Sequence, residues 1–302
     1  MHAELAVDYF ELRSADVQKQ LLDDTVNDYT DSLKLTQNRF EGGAAPKSDV
    51  AQSQTQLDGA RVQDTDITVV RAQYEHAIAT LIGKPPAQFS IAPAPKTALN
   101  LPVIPVGLPA SLLERRPDIA AGERRVVEAN EQIGIARAAY FPTLVLGGEG
   151  GFAATSITNW FNWPSRMWAV GPQMSQTIFD AGRRRAVSEG ATANYDGTVA
   201  SYRQTTLTAF QEVEDNLAAL RILQKEAQQQ REATASAEES LQLFTNRYQG
   251  GVDNYLQVIT AQTALLTNQR NDIDIERRRM DASVLLVKAI GGGWDTSQLP
   301  SF

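Results

Sequence analysis

The most constraining feature of the sequence is an ungapped internal repeat with an offset of 208 residues. The stretch Asn246–Gly251 reads NRYQGG, and it matches Asn38–Gly43, which reads NRFEGG. Sixteen identities fall in the 51 residues from 33 to 83 when these are aligned with residues 241–291. A register kept over that length indicates a structural duplication. Each copy is predicted to be a helix–turn–helix hairpin, because glycine accepts the left-handed conformation that ends a helix.

Long stretches of helical periodicity flank both turns. Residues 1–41 are predicted to form one helix, and a return helix is predicted from about Pro46 to Ile82. Before the second turn, a helix begins near Phe179–Arg185 and runs to about Gln249. At about 1.5 Å per residue this helix would be roughly 100 Å long. Its apolar seam is narrow, which favours a coiled-coil-like wall with water on both faces over a thick globular core.

These patterns predict a mainly α fold that contains one β-hairpin. Six segments are predicted: a first-repeat helical hairpin at 1–84, an extended connector with seven prolines at 85–109, helices at 110–140, a β-hairpin at 141–179, the second-repeat long helix and returning helix at 180–290, and a C-terminal tail at 291–302.

Composition excludes several classes of protein. A net charge of −8 argues against a general nucleic-acid-binding protein. The chain has no cysteine, so disulfides, thiolate nucleophiles and cysteine metal sites are excluded. No apolar run reaches the length of about 18 residues that a transmembrane helix needs. Because the sequence starts in helical register without a cap or secretory signal, we expect an N-terminally truncated chain.

Two short strands, at about 143–153 and 167–178, form the predicted hairpin. The second strand alternates between a large apolar face, which includes Trp168, Val170 and Met174, and a face of small and polar residues. This period of two is typical of a barrel strand that faces lipid outward and water inward. A soluble two-stranded arm packed on a helix is the alternative.

Catalytic interpretations find little support in the sequence. The stretch Gly148–Ala153 fits a loose G-x-G-x-x-A pattern, but no helix follows it, so a dinucleotide site is rejected. The repeated carboxylate pairs are interpreted as solvated helix faces: Asp64 with Asp66, and Asp272 with Asp274. We therefore expect no enzyme activity, no cofactor and no metal site.

Several motifs resemble the outer membrane factor family of TolC-like exit ducts, and in particular its NodT-type lipoprotein branch, which serves tripartite efflux pumps of the RND class. These motifs occur in order along nearly the whole chain: Gly107–Pro109, Leu113–Ile119, Glu123–Arg125, Ile133–Ala136, Ala139–Pro142, Phe179–Arg185, Ser201–Gln204, Ala209–Asp215, Arg247–Leu256 and Leu286–Trp294.

The resemblance implies a homotrimer in the outer membrane, with most of the chain in the periplasm. A shared transmembrane β-barrel would continue into an α-helical tunnel whose tips dock onto a periplasmic adaptor, the membrane fusion protein, and through it onto an inner-membrane pump. Family members carry four strands per chain, and this sequence contains one pair. The other pair, the signal peptide and the lipid-anchor cysteine would precede Met1.

The same resemblance suggests where the functional residues lie. The adaptor-docking tips would be Arg39, Gly42 and Gly43 in the first copy, and Arg247, Gly250 and Gly251 in the second. The aperture of the tunnel would be formed by Leu256 and Thr260, with Tyr248 and Asp253 as candidates for a gate network. Thr260 stands where the pump branch usually has an aspartate.

Three functional hypotheses follow from the sequence. The first is a passive efflux duct for small molecules or ions, which the motifs Arg116–Asp118 and Gly291–Trp294 favour. The second is a type I secretion duct of the same fold that exports a protein. The third belongs to a different class, a soluble coiled-coil scaffold.

Overall fold

The computed structural model describes residues 1–94 and 116–292. Most of them lie in helices: α1 (His2–Glu41), α2 (Lys47–Leu81), α3 (Pro117–Ala138), α4 (Arg183–Gln249) and α5 (Tyr255–Ala289). Two strands, β1 (Thr143–Phe152) and β2 (Arg166–Ser175), separate α3 from α4. Much of the predicted connector and nearly all of the predicted tail lie outside the described residues, as do Gly107–Pro109. Among the helices of the described ranges, none combines the length and the apolar character that a membrane span requires.

The chain divides into two compact units, Met1–Leu113 with Phe210–Phe302, and Glu114–Ala209. In the first unit, α1 and α2 form an antiparallel pair, as the repeat predicts. Their core includes a cluster of Tyr29, Leu33, Leu57 and Ala60. The part of α4 in this unit packs on α5 through similarly small clusters, such as Leu223, Ala227 and Ile275. The narrow predicted seam is therefore present, with few side chains buried at each level.

Both helix reversals use the same backbone motif. In the first turn the amide of Ala44 donates to the carbonyl of Arg39 at 2.7 Å, and Gly43 has a φ of 72°. In the second turn the amide of Val252 donates to the carbonyl of Arg247 at 2.9 Å, and Gly251 has a φ of 73°. A positive φ is adopted by glycine at little steric cost, which explains why both copies keep it.

An ion cluster fixes the start of the segment that follows α2. Asp16 lies between two arginines, 2.8 Å from Arg13 and 2.7 Å from Arg71, and its side chain is 1% exposed. The arginines donate to the carbonyls of Ala92 and Ile91, respectively. Glu75 and Asp16 accept hydrogen bonds from the amides of Ile91 and Ala94. Residues 91–94 are thus bound by buried and half-buried side chains although they form no regular structure.

In the second unit, α3 packs beside the N-terminal part of α4. A Cβ atom on Gly122 of α3 would lie 3.1 Å from the ring of Tyr202, so this glycine permits the two helices to approach closely. The strands pair in antiparallel register, with Thr143 opposite Ser175 and Phe152 opposite Arg166.

The second strand ends at Ser175 rather than at the predicted residue 178. The next position along the register would face Pro142, which has no amide hydrogen to donate. Ile178 therefore lies beyond the strand, and it is 94% exposed.

Candidate functional site

The two turns present glycine-rich backbone at the surface, while the arginine of each turn contacts another side chain of the chain. Gly42, Gly43, Gly250 and Gly251 are all exposed. Arg39 is half-buried, and its guanidinium lies 4.7 Å from the centroid of the Tyr248 ring.

The arginine of the second turn makes a different contact. Arg247 binds Asp253 through two hydrogen bonds of 2.5 and 3.2 Å. Hydrogen bonding to the Arg247 guanidinium lowers the pKa of Asp253, so this pair stays ionised at neutral pH. The pair links the two ends of its own turn.

Tyr248 lies inside the helical bundle. Its side chain is 3% exposed and packs against Tyr255 with ring centroids 5.1 Å apart. Its hydroxyl donates to Asp49 of α2 at 3.3 Å. Burial, followed by the charge of Asp49, raises the pKa of Tyr248 to about 12, so the phenol remains a hydrogen-bond donor. Tyr255 makes a parallel contact, since its hydroxyl lies 3.1 Å from the Ser53 hydroxyl.

The other proposed aperture residues lie on the surface of α5. Leu256 is 51% exposed, and Thr260, one helical turn later, is also exposed. The Thr260 hydroxyl donates to the carbonyl of Leu256 at 2.9 Å, so it is satisfied within its own helix. The four predicted aperture residues therefore separate into a buried tyrosine, an ion-paired aspartate and two surface residues.

The predicted membrane-facing residues form one continuous apolar face of the hairpin. Trp168, Val170 and Met174 are 72%, 67% and 72% exposed. Directly opposite residues share a face of an antiparallel pair, so Leu144 and Leu146 of β1 extend the same surface. The opposite face carries Ala169, Gly171 and Gln173.

Several polar contacts could not be identified in the sequence. Asp49 and Ser53 were not singled out, because nothing in one sequence shows which α2 residues face the two tyrosines. The interpretation of the carboxylate pairs as solvated faces is wrong in part. Asp64 binds Lys19 at 2.9 Å, and Asp272 has a buried, unpartnered oxygen. Among the described residues, no group of histidine and carboxylate side chains could hold a metal ion.

Comparisons with known proteins agree on one family. The model of the outer membrane efflux protein family matches residues 1–84 and 108–292. The probable efflux pump outer membrane protein SepC of Pseudomonas putida is 38% identical over 297 residues, which are 97% of this chain and 61% of SepC. Outer membrane protein OprJ of Pseudomonas aeruginosa is 37% identical over 266 residues, which are 87% of this chain and 55% of OprJ.

Solved structures show the same fold. A membrane protein from Pseudomonas aeruginosa superposes with a TM-score of 0.89 at 35% identity, covering 97% of this chain and 66% of that one. A structure of CusC, studied for transmembrane channel formation, gives a TM-score of 0.88 at 29% identity, with coverage of 96% and 68%.

The chain thus spans about three-fifths of the length of the curated relatives it matches. The predicted fold class is confirmed by these structural neighbours, and the prediction that the chain is not an enzyme agrees with relatives that are efflux components. From the fold, the repeated turns and the match along both stretches, the chain belongs to the outer membrane efflux protein family.

Proposed function

We propose that this chain is a subunit of an outer-membrane duct for efflux and acts passively in the export of small molecules or ions. The observation that carries the proposal is the combination of one exposed apolar hairpin face with two equivalent exposed glycine turns. The hairpin would contact outer-membrane lipid. The turns would contact a periplasmic adaptor, because glycine leaves the backbone accessible to a partner.

Three copies of the chain would surround the lumen, as the resemblance to TolC-like ducts suggests. In such a trimer Leu256 and Thr260 would occur as rings at the periplasmic end. Neither side chain carries a charge, so the aperture would select by size and polarity rather than by an acidic ring.

The membrane end of the proposal is tested by placing charge on either face of β2. Trp168→Asp and Met174→Arg introduce charge on the apolar face, where a cost of about 2–4 kcal/mol is expected for a basic residue deep in the bilayer. Ala169→Asp introduces the same kind of change on the opposite face and serves as the control. The measurement is recovery of each protein in the outer-membrane fraction after alkaline extraction.

We expect the parent and the Ala169 variant to stay with the membrane and the other two variants to be lost from it. If all four proteins are recovered in the soluble fraction, the coiled-coil scaffold is the better hypothesis.

The transport step is tested in a host that lacks its own outer-membrane efflux channel. Expression of the parent chain with an RND pump and its adaptor should reduce the accumulation of a fluorescent pump substrate. Replacing both Gly43 and Gly251 with valine should abolish that effect, since both turns require a positive φ. A chain that resides in the outer membrane but leaves accumulation unchanged would contradict the efflux proposal.

A further inference from the structure

The two tip arginines occupy equivalent positions of the repeat, yet they bind different partners. Arg247 is held by Asp253 within its own turn. The position equivalent to Asp253 in the first turn is Ala45, which offers no carboxylate. Among the described residues Arg39 makes no ion pair, and its guanidinium extends to the neighbouring hairpin.

At that hairpin Arg39 contacts the end of the longest helix. Its Nη1 donates to the carbonyl of Gln249 at 2.9 Å, and Gln249 is the last residue of α4. The final carbonyls of a helix have no partner within the helix, and they carry the negative end of the helix dipole. A guanidinium at this place satisfies one carbonyl and has favourable electrostatics at the same time.

The rest of the side chain is fixed by stacking. The Arg39 guanidinium lies over the face of Tyr248, whose hydroxyl is bound to Asp49. The Nε of Arg39 is buried and has no hydrogen-bond partner. The guanidinium is therefore held by the cation–π contact and by the hydrogen bond to Gln249.

We propose that Arg39 is a positioning residue that caps α4 from the neighbouring hairpin and thereby sets the place of the second turn. The relation is asymmetric: the first turn supplies the residue that orders the second, while Arg247 acts only within its own turn. The two tips then form one coupled surface, and neither arginine is a free cation for a partner.

Amide hydrogen exchange of the detergent-solubilised chain tests this asymmetry without any adaptor or pump. In Arg39→Ala, we expect amides at 246–252 to exchange about five- to tenfold faster, as loss of a charge-assisted bond predicts. Amides at 38–45 should change little, although the substitution lies among them. In the matched variant Arg247→Ala, exchange at 246–252 should rise and exchange at 38–45 should stay at the parent value.

Arg39→Lys is the conservative variant. Lysine keeps the charge and can still donate to the Gln249 carbonyl, so it should restore most of the protection at 246–252, whereas Arg39→Met should not. Faster exchange confined to 38–45, or no difference between lysine and methionine, would overturn the proposal. Because the measurement needs no transport, its outcome is independent of the efflux proposal.

Discussion

At the scale of single residues, three carboxylates share one guanidinium between α1 and α5. Arg277 contacts Glu11 of α1 and binds Asp274 and Asp281 at 2.7 and 3.0 Å. One positive charge therefore faces three negative ones in a partly buried place. Burial, followed by the charge of Glu11, raises the pKa of Asp281 to about 6, and one of its oxygens has no hydrogen-bond partner.

Asp281 predicts a specific pH dependence of stability. A folded-state pKa above the unfolded value means that the folded chain binds the proton more tightly. The stabilisation that the protonated Asp281 carboxyl contributes is complete below about pH 4 and is lost as pH rises through about 6. We expect Asp281→Asn to be more stable than the parent at pH 7.5 by roughly 1–2 kcal/mol, and the difference to shrink towards pH 5.

Thermal unfolding midpoints between pH 5 and 8 measure this effect. Asp31→Asn is the control, because it removes the same charge from a side chain that is 77% exposed. A parent and an Asp281 variant with parallel pH curves would show that this carboxyl is not the titrating group.

A second residue-scale prediction compares two glycines that have room for a methyl group. A Cβ atom at Gly251 or at Gly59 would meet nothing within 4 Å, but only Gly251 has a positive φ. Gly251→Ala should therefore destabilise the chain by about 1 kcal/mol. Gly59→Ala, in the middle of α2, should stabilise it by about 0.5–1 kcal/mol. Chemical denaturation of the two variants should move the midpoint in opposite directions.

At the scale of elements, the sequence predicted the helices well and the contacts between them poorly. The repeat and the paired glycines located both turns, because those signals are local. The end of β2 was missed because it depends on Pro142, which immediately precedes the partner strand. The ion cluster around Asp16 was also missed, because its contacts join residues up to 79 positions apart and form only after α1 and α2 pair.

That ion cluster yields a prediction for the segment after α2. Asp16→Ala leaves Arg13 and Arg71 partly unpaired in a buried place, so we expect a loss of about 3 kcal/mol in stability. The amide of Ala94, which donates to Asp16, should lose its protection against hydrogen exchange. Asp58→Ala breaks an exposed ion pair with Arg61 and should change stability by less than about 0.5 kcal/mol. Equal effects of the two substitutions would contradict the role given to the buried cluster.

At the scale of the whole molecule, the described residues with exposed large apolar side chains are densest in the hairpin. The hairpin residues are exposed on both strands, including Leu144, Leu146, Trp168 and Met174.

The resemblance in sequence predicted the family and the fold class, because its motifs extend along the chain. It could not show which of the proposed aperture residues are buried, since burial of Tyr248 depends on Asp49 and Tyr255.

The strand register allows the hairpin to be deleted so that the two ends left behind lie next to each other. Thr143 and Ser175 are direct partners, so a linker of a few glycine and serine residues can replace residues 143–175. We expect the shortened chain to be monodisperse in buffer without detergent, while the parent associates through the apolar face. Size-exclusion chromatography with light scattering measures both. If the shortened chain associates to the same extent as the parent, the surface that mediates association lies outside the hairpin.

The identical turn backbone and the different side-chain partners have a consequence for interchangeability. A chimaera that exchanges residues 38–45 with residues 246–253 would keep both glycine reversals, because the positive-φ positions coincide. The first turn would acquire its own carboxylate for Arg39, and the second would lose the hydroxyl that now binds Asp49. The two copies of the repeat therefore share one backbone conformation, but neither turn can replace the other, because their side chains bind different partners.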